Sequence, residues 1–185
     1  RISSIEPNLL DTEIIQFISS SLKILPHLHI PLQSGSNKIL QMMKRRYKRE
    51  LYEERVAQLK SLMPNVCIGA DVIVGFPGEM DQDFLDTYHF LHNIDVNYLH
   101  VFTYSERENT EAIQISQIIE QKDRTHRRKL LHQLSQQKRQ QFYLKHLGEI
   151  FNVLFETYED GILSGFTENY IRVEVNSSTD LVNKI

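Results

Sequence analysis

Apolar and polar positions along this chain fall into two alternating textures and then a third. Short, nearly unbroken apolar runs at residues 1–5, 27–32, 66–74 and 97–104 are separated by segments whose apolar residues recur three and four apart. The runs read as strands, 66–74 as one buried on both faces, and the spacing between them predicts helices. A first helix is expected from an Asp11 cap to about residue 25, with Ile14, Ile15, Ile18 and Leu22 on one face and Pro26 closing it. Ser36 should cap a short helix carrying Ile39, Leu40 and Met43, and a second, roughly 50–63, groups Val56, Leu59 and Met63. Asp81 should cap a helix that buries Phe84, Tyr88 and Leu91. This order, with each strand followed by helix, is that of an α/β fold with a parallel sheet and right-handed crossovers.

After the fourth run the texture changes. Residues 106–121 are polar and irregular, and 122–148 read as one long polar helix stopped by Gly148. The text then becomes all-β: 150–157, 162–166 and 170–175 are expected strands, the first two joined as a hairpin through Glu159-Asp160-Gly161. A boundary near Gly148 therefore divides the chain into units 1–148 and 149–185.

Composition narrows the setting. At 185 residues, 41% hydrophobic, the chain can bury a substantial core. A net charge of −3 selects no partner by itself, since local clusters can still be basic. The one cysteine, Cys67, excludes an internal disulfide framework and fits a reducing, cytoplasmic setting. No apolar run approaches a membrane span. Arg1 already stands in a strand-like run without an initiator methionine, and residue 185 falls in a β-rich segment. The chain is thus expected to be a piece of a longer protein, whose exposed first strand invites pairing between two copies.

Candidate chemistry sits at the strand ends. Ser4, Gln33, Asp71 and residues 102–105 lie where a parallel barrel presents its ligand-binding loops. Gln33 and Asp71 can bond ribose hydroxyls, Ile73 can pack on an adenine face, and Arg45 can meet a carboxylate through paired N–H donors. Gly75 ends the third run without a Cβ, which would let a ligand approach the backbone. Each residue also has a plain structural reading. Asp71 can be a structural carboxylate within an apolar strand, and Arg45 belongs to the basic run Lys44-Arg45-Arg46-Tyr47-Lys48-Arg49. The eight histidines show no metal-ligand spacing, and His27 and His29 read as structural.

Four motifs occur in order: Arg1-Ile2-Ser3-Ser4-Ile5-Glu6-Pro7, His29-Ile30-Pro31-Leu32-Gln33-Ser34-Gly35-Ser36, Asp71-Val72-Ile73-Val74-Gly75-Phe76-Pro77-Gly78-Glu79, and His100-Val101-Phe102-Thr103-Tyr104-Ser105. Together they resemble the radical S-adenosylmethionine methylthiotransferases, which place a methylthio group on tRNA adenosines near the anticodon. Leu163-Ser164-Gly165-Phe166-Thr167-Glu168-Asn169-Tyr170 is similar to that family's small RNA-binding β-barrel, the TRAM domain. The resemblance implies the C-terminal half of a partial (β/α)6, TIM-like barrel, followed by the start of that β-barrel. The first and fourth motifs look most like the branch acting on N6-threonylcarbamoyladenosine.

The resemblance also implies roles. Ser4 belongs to the ribose-contacting strand; Gln33, Arg45 and Asp71 contact the ribose and methionyl ends of S-adenosylmethionine. Ile73 and Val74 give apolar contact to adenine, and the backbone of Phe102 to Tyr104 meets the base. The family uses two 4Fe-4S clusters, one held by a Cys-x-x-x-Cys-x-x-Cys loop. With Cys67 alone, no cluster site, catalytic residue or metal ligand is expected in this chain, and the chain alone should be inactive. Relatives usually read Pro-Arg-Pro-Gly-Thr where this chain has Tyr104-Ser105-Glu106-Arg107-Glu108-Asn109-Thr110. The expected macromolecular partner is tRNA. Eight Lys or Arg against Asp123 along 122–146 can neutralise phosphates, and Tyr158, Phe166 and Tyr170 can stack bases or fill a small core. Two rivals are another radical SAM branch, such as the coproporphyrinogen dehydrogenase-like or ribosomal-protein enzymes, and a non-catalytic RNA-binding module. Convergence of Ser4, Gln33, Arg45 and Asp71 on one pocket would favour an enzyme over the module.

Overall fold

The computed structural model describes residues 1–108 and 110–184; Asn109, in the loop that departs from the family pattern, and Ile185, at the end of the second unit, lie outside the described residues. Strands β1 (Ile2–Ser3), β2 (His27–His29), β3 (Cys67–Val74) and β4 (Tyr98–Thr103) form one parallel sheet in that order. Helices α1 (Thr12–Ser20), α2 (Asn37–Met42), α3 (Arg49–Leu62) and α4 (Asp81–Asn93) connect them. A 3-10 turn at Glu111–Gln114 leads into α5 (Gln121–Lys145), which packs on β4. Strands β5 (Val153–Glu159), β6 (Ile162–Thr167) and β7 (Arg172–Asn176) make a small antiparallel sheet.

Alternation along the parallel strands separates two faces. Leu28, Ile30, Ile68, Ala70, Val72, Val74, Leu99 and Val101 point to the helices and join Ile18, Val56, Leu59, Leu91 and Leu131 in the main core. The opposite face carries Cys67, Gly69, Asp71 and Ile73 on β3, and Tyr98, His100 and Phe102 on β4. The expectation that the third run is buried on both faces holds only for its first half. From Asp71 onward every second residue is only half-buried, so one face opens toward the strands' C-terminal ends.

Several boundaries differ from the sequence expectation for local reasons. Asp11 does cap α1, accepting from the Ile14 N–H at 2.8 Å, but the helix stops at Ser20. The residue before Pro26 is driven out of helical geometry, and the intervening segment turns back toward β2. Leu22 is consequently fully exposed, and Ile14 lies at the surface rather than in the core. Ser36 caps α2 as expected. Asp81 does not cap α4: Met80 holds that position, and the Asp83 carboxylate accepts from its N–H at 3.0 Å, leaving Asp81 to meet Arg127 at 2.7 Å. β5 begins at Val153, and Ile150 is wholly exposed. The hairpin forms where expected, with φ of 50° at Asp160 and 78° at Gly161, the two left-handed residues a tight type I′ turn requires.

The small sheet meets the parallel sheet through rings. Tyr170 stacks on His27 at 3.9 Å and on Phe166 at 4.7 Å, and Arg1 lies over both of those tyrosine and phenylalanine rings. Thr167 donates to Asn169 at 2.7 Å, and Asn169 reaches His146 at the end of α5 at 3.3 Å, all three buried. Thr167, Asn169 and Tyr170 of the eight-residue motif thus fasten the β-hairpin to the helix and the sheet.

Candidate functional site

At the C-terminal ends of β3 and β4 lies a cleft of about 440 Å³, within the size range of small-molecule sites. Gln33, Asp71, Ile73 and Phe102 line it, together with residues of the loop after β4. Gln33 is placed by an extension of the β2–β3 pairing: its N–H donates to the Asp71 carbonyl at 2.8 Å, and its carbonyl accepts from Ile73 at 2.9 Å. It adopts φ of 70°, a left-handed conformation uncommon outside glycine, at the point where the chain leaves the strand for α2. Ile73 is half-buried and Phe102 is 52% exposed, so two apolar side chains border the polar pair.

A second cleft, of about 450 Å³, shares Ile73 and Tyr104 with the first and adds Arg45, Met42, Met43 and Phe76. Arg45 is half-buried and pairs with Glu6 at 3.1 Å, while its Nε is buried without a partner. Glu6 is the acid of the first motif, so this guanidinium already has a carboxylate on one side. Ser4 lines neither cleft. It is exposed, with φ of 64°, and its Oγ lies 3.4 Å from His29 Nδ1. Of the four polar residues singled out, Gln33 and Asp71 share one cleft, Arg45 lines the neighbouring one, and Ser4 stands a layer away behind His29.

Some motif residues have other duties. Val74 is fully buried on the helix side and offers nothing to a ligand in the cleft. Tyr104 donates its N–H to Val74 at 2.9 Å, and its carbonyl accepts from Arg124 at 3.1 Å, so both of its backbone groups are committed. At Gly75 the close neighbour is protein: a Cβ there would stand 2.4 Å from the Arg124 side chain. Glu79 is fully buried, accepts from the Gly75 N–H at 2.7 Å and from Arg127 at 2.8 Å, and locks the loop after β3 to α5. Burial pushes its carboxyl up, against the Gly75 hydrogen bond and the Arg127 charge.

The basic helix is likewise partly consumed. Arg124, Arg127 and Lys138 are buried; Arg124 binds Glu106, and Lys138 donates to the carbonyls of His92 and Ile94. Lys122, Arg128, Lys129 and Arg139 remain on the exposed side. Phe166 and Tyr170 spend their faces on each other and on His27, and the Tyr158 hydroxyl donates to the Ser177 carbonyl.

The sequence reading took His29 as structural and gave His100 no role of its own. His29 Nε2 lies 2.9 Å from Asp71 Oδ1, and His100 Nδ1 lies 3.5 Å from the same oxygen. Burial, then the neighbouring His29, push His100 below the usual imidazole range despite Asp71. Two-residue alternation on β2 and β4 puts both rings on the open face, a signal that spacing along one strand alone does not reveal. The buried Cys67 thiol is pushed up to about 12 by desolvation, which leaves it protonated and a poor metal ligand. Among the described residues, no helix is long and apolar enough to cross a membrane.

Residues 2–91 match the radical SAM superfamily. Over its whole length the chain is 36% identical to the threonylcarbamoyladenosine tRNA methylthiotransferase of Bacillus subtilis, covering 42% of that protein. It is also 36% identical, again over its whole length and 42% of the relative, to the tRNA-2-methylthio-N(6)-dimethylallyladenosine synthase of Sulfurimonas denitrificans. The chain therefore spans less than half the length of these relatives. Among solved structures, coproporphyrinogen III oxidase of Escherichia coli, a radical SAM enzyme, superposes with a TM-score of 0.57 at 13% identity over 80% of this chain and 32% of that one. That likeness speaks for the fold alone.

Proposed function

This chain belongs to the radical SAM tRNA methylthiotransferases, and from that premise we propose that the whole protein places a methylthio group on C2 of N6-threonylcarbamoyladenosine in tRNA. The four-stranded unit, 1–148, is then the later half of a partial barrel, and 149–185 is the beginning of a TRAM-like RNA-binding barrel. The observation that carries the reading is the meeting of Gln33, Asp71, Ile73 and Phe102 in one cleft at the strand ends. The choice of branch rests on Ser3-Ser4-Ile5-Glu6-Pro7 and on the fourth strand, since relatives of the two tRNA branches overlap in identity, at 36–42% and 33–41%.

The cleft fits the nucleoside part of S-adenosylmethionine, which supplies the transferred methyl group when bound. Gln33 and Asp71 hold ribose hydroxyls, and Ile73 and Phe102 flank the base. Arg45, whose buried Nε has no protein partner, receives the methionyl carboxylate from the adjoining cleft. Ser4 acts one layer back, through His29. Iron–sulfur clusters do not fit the residues of this chain, because its single thiol is buried and its acidity suppressed.

The test uses the full-length protein with its clusters reconstituted anaerobically. Incubation with S-adenosylmethionine and tRNA, digestion, and mass spectrometry should show a methylthio gain on threonylcarbamoyladenosine. Asp71→Ala and Arg45→Ala, each checked for folding, should abolish or strongly reduce that gain. A gain on dimethylallyladenosine instead would keep the chemistry and overturn the branch.

A further inference from the structure

We propose that His29, Asp71 and His100 form a binding site for one divalent transition-metal ion, of the zinc, cobalt(II) or iron(II) class, on the open face of the parallel sheet. Register builds the cluster. Asp71 on β3 faces His100 on β4 directly, and His29 sits one strand over, paired with Gly69 two residues before Asp71. The three candidate ligand atoms, His29 Nε2, Asp71 Oδ1 and His100 Nδ1, lie within 4.8 Å of one another.

Two of the three donor separations suit a metal as they stand, and a turn of the exposed His100 ring adjusts the third. Ligand bonds of about 2.1 Å set donor atoms roughly 3.0 to 3.4 Å apart in octahedral or tetrahedral geometry. The two carboxylate-to-imidazole separations, 2.9 and 3.5 Å, bracket that range. Two imidazoles and one carboxylate are a donor set for borderline metals rather than for calcium or magnesium, which prefer oxygen. His29 also carries the support that ligating histidines need. Its Nδ1 lies 3.4 Å from Ser4 Oγ, a hydroxyl that can accept from Nδ1–H once a metal takes the place of the proton that Nε2 now shares with Asp71. The far side of the site is open: the His100 side chain is 50% exposed and Asp71 lines the cleft, so water or a ligand oxygen can complete the coordination. Both histidines face Asp71 Oδ1, so a metal there leaves Oδ2 for a ribose hydroxyl, and the inference concerns metal affinity whether or not the activity proposed above holds.

The test is titration of the tag-free chain with Zn2+ by calorimetry and with Co2+ by visible absorption. One equivalent should bind with micromolar or tighter affinity, and His100→Ala and Asp71→Asn should each weaken it by tenfold or more. His100 is exposed enough for its loss to be tolerated, and a thermal melt of each variant verifies the fold. The control is the double variant His89→Ala, His92→Ala, which removes the exposed histidines of α4 and should leave that equivalent unchanged. Absence of a saturable equivalent, equal affinity in His100→Ala, or loss confined to the α4 variant would each overturn the site.

Discussion

At the N-terminal ends of β2, β3 and β4 the open face of the sheet is sealed by rings, whereas at their C-terminal ends the same face is left bare. His27, Cys67 and Tyr98 are buried at the first end, under Tyr170 and Phe142, and the His27 Nε2 to Tyr98 hydroxyl contact is 2.9 Å. Gln33, Ile73 and Phe102 border open clefts at the second. Asp71 and the two histidines around it stand between. The contrast divides labour along three strands: packed rings largely fill one end, leaving a cavity of about 200 Å³ beside Cys67, Tyr98 and Tyr170, while the other keeps clefts of about 440 and 450 Å³ for a ligand, as parallel α/β folds do at their strand C-terminal ends. Substitutions at the sealed end should therefore register as stability, and those at the open end as binding.

The largest expected effect is at Gly69. A Cβ there would stand 2.2 Å from Tyr98 Cζ and 2.4 Å from its hydroxyl oxygen, and Tyr98 is held by His27 on one side and by the Arg139 guanidinium over its face. Gly69→Val should cost about 3 kcal/mol, the upper part of the range for overpacking, read from the midpoint of chemical unfolding. Tyr170→Ala comes next, at about 2 kcal/mol, because a half-buried ring loses its stacks on His27 and Phe166. Tyr170→Phe should stay close to the parent, since stacking rather than the hydroxyl carries the contact. An unchanged midpoint in Tyr170→Ala would mean that the small sheet adds nothing to the sealed end.

How much of this was legible follows from what each level of sequence encodes. The βα order, the Ser36 cap and the Asp160-Gly161 hairpin depend on local pattern and turn chemistry, and they emerged at the expected places. Sidedness was legible only in part. The run from Val66 to Val74 reads as evenly apolar, yet Ala70 is fully buried while Asp71 and Ile73 face an open cleft. Long-range pairing was not legible. Nothing near Glu79 in the sequence points to Arg127, and the burial of Arg124, Arg127 and Lys138 turns a seemingly basic face into an internal fastening. The His29–Asp71–His100 group belongs to the same class, because it depends on strand register rather than on spacing within any one segment.

Acid should loosen the sealed end selectively. Burial, followed by the positive charge of Arg1, lowers His27 to about 4 in the folded chain from an ordinary value of 6.5. Between those values the unfolded chain binds the proton and the folded one does not, so stability falls as pH falls through that window. One pH unit within it is worth about 1.4 kcal/mol. Taking the chain from pH 7 to pH 5.5 should thus remove about 1 kcal/mol, and His27→Gln should flatten the dependence. A denaturation series across that range, run on both proteins, reads the difference. An unchanged slope in the variant would assign the acid sensitivity to other groups.

The smallest change in stability is expected at the open end, and it is the sharpest test of the contrast. The Phe102 side chain occupies the same face as Tyr98, two alternations further along β4, but is 52% exposed where Tyr98 is 5% exposed. Little of its ring leaves water when the chain folds, so the transfer and cavity penalties that make buried aromatics costly are largely absent. Phe102→Ala should shift the unfolding free energy by no more than about 0.5 kcal/mol. If the ring flanks the base of S-adenosylmethionine, the same substitution in the full-length protein should weaken cofactor binding by roughly tenfold, since apolar contact of a base face is worth about 1 to 3 kcal/mol. Calorimetric titration with S-adenosylmethionine alongside a thermal melt measures both. Lost affinity with an unchanged melt would separate binding from stability along a single strand; lost stability with unchanged affinity would place Phe102 with the sealed end and remove it from the cofactor site.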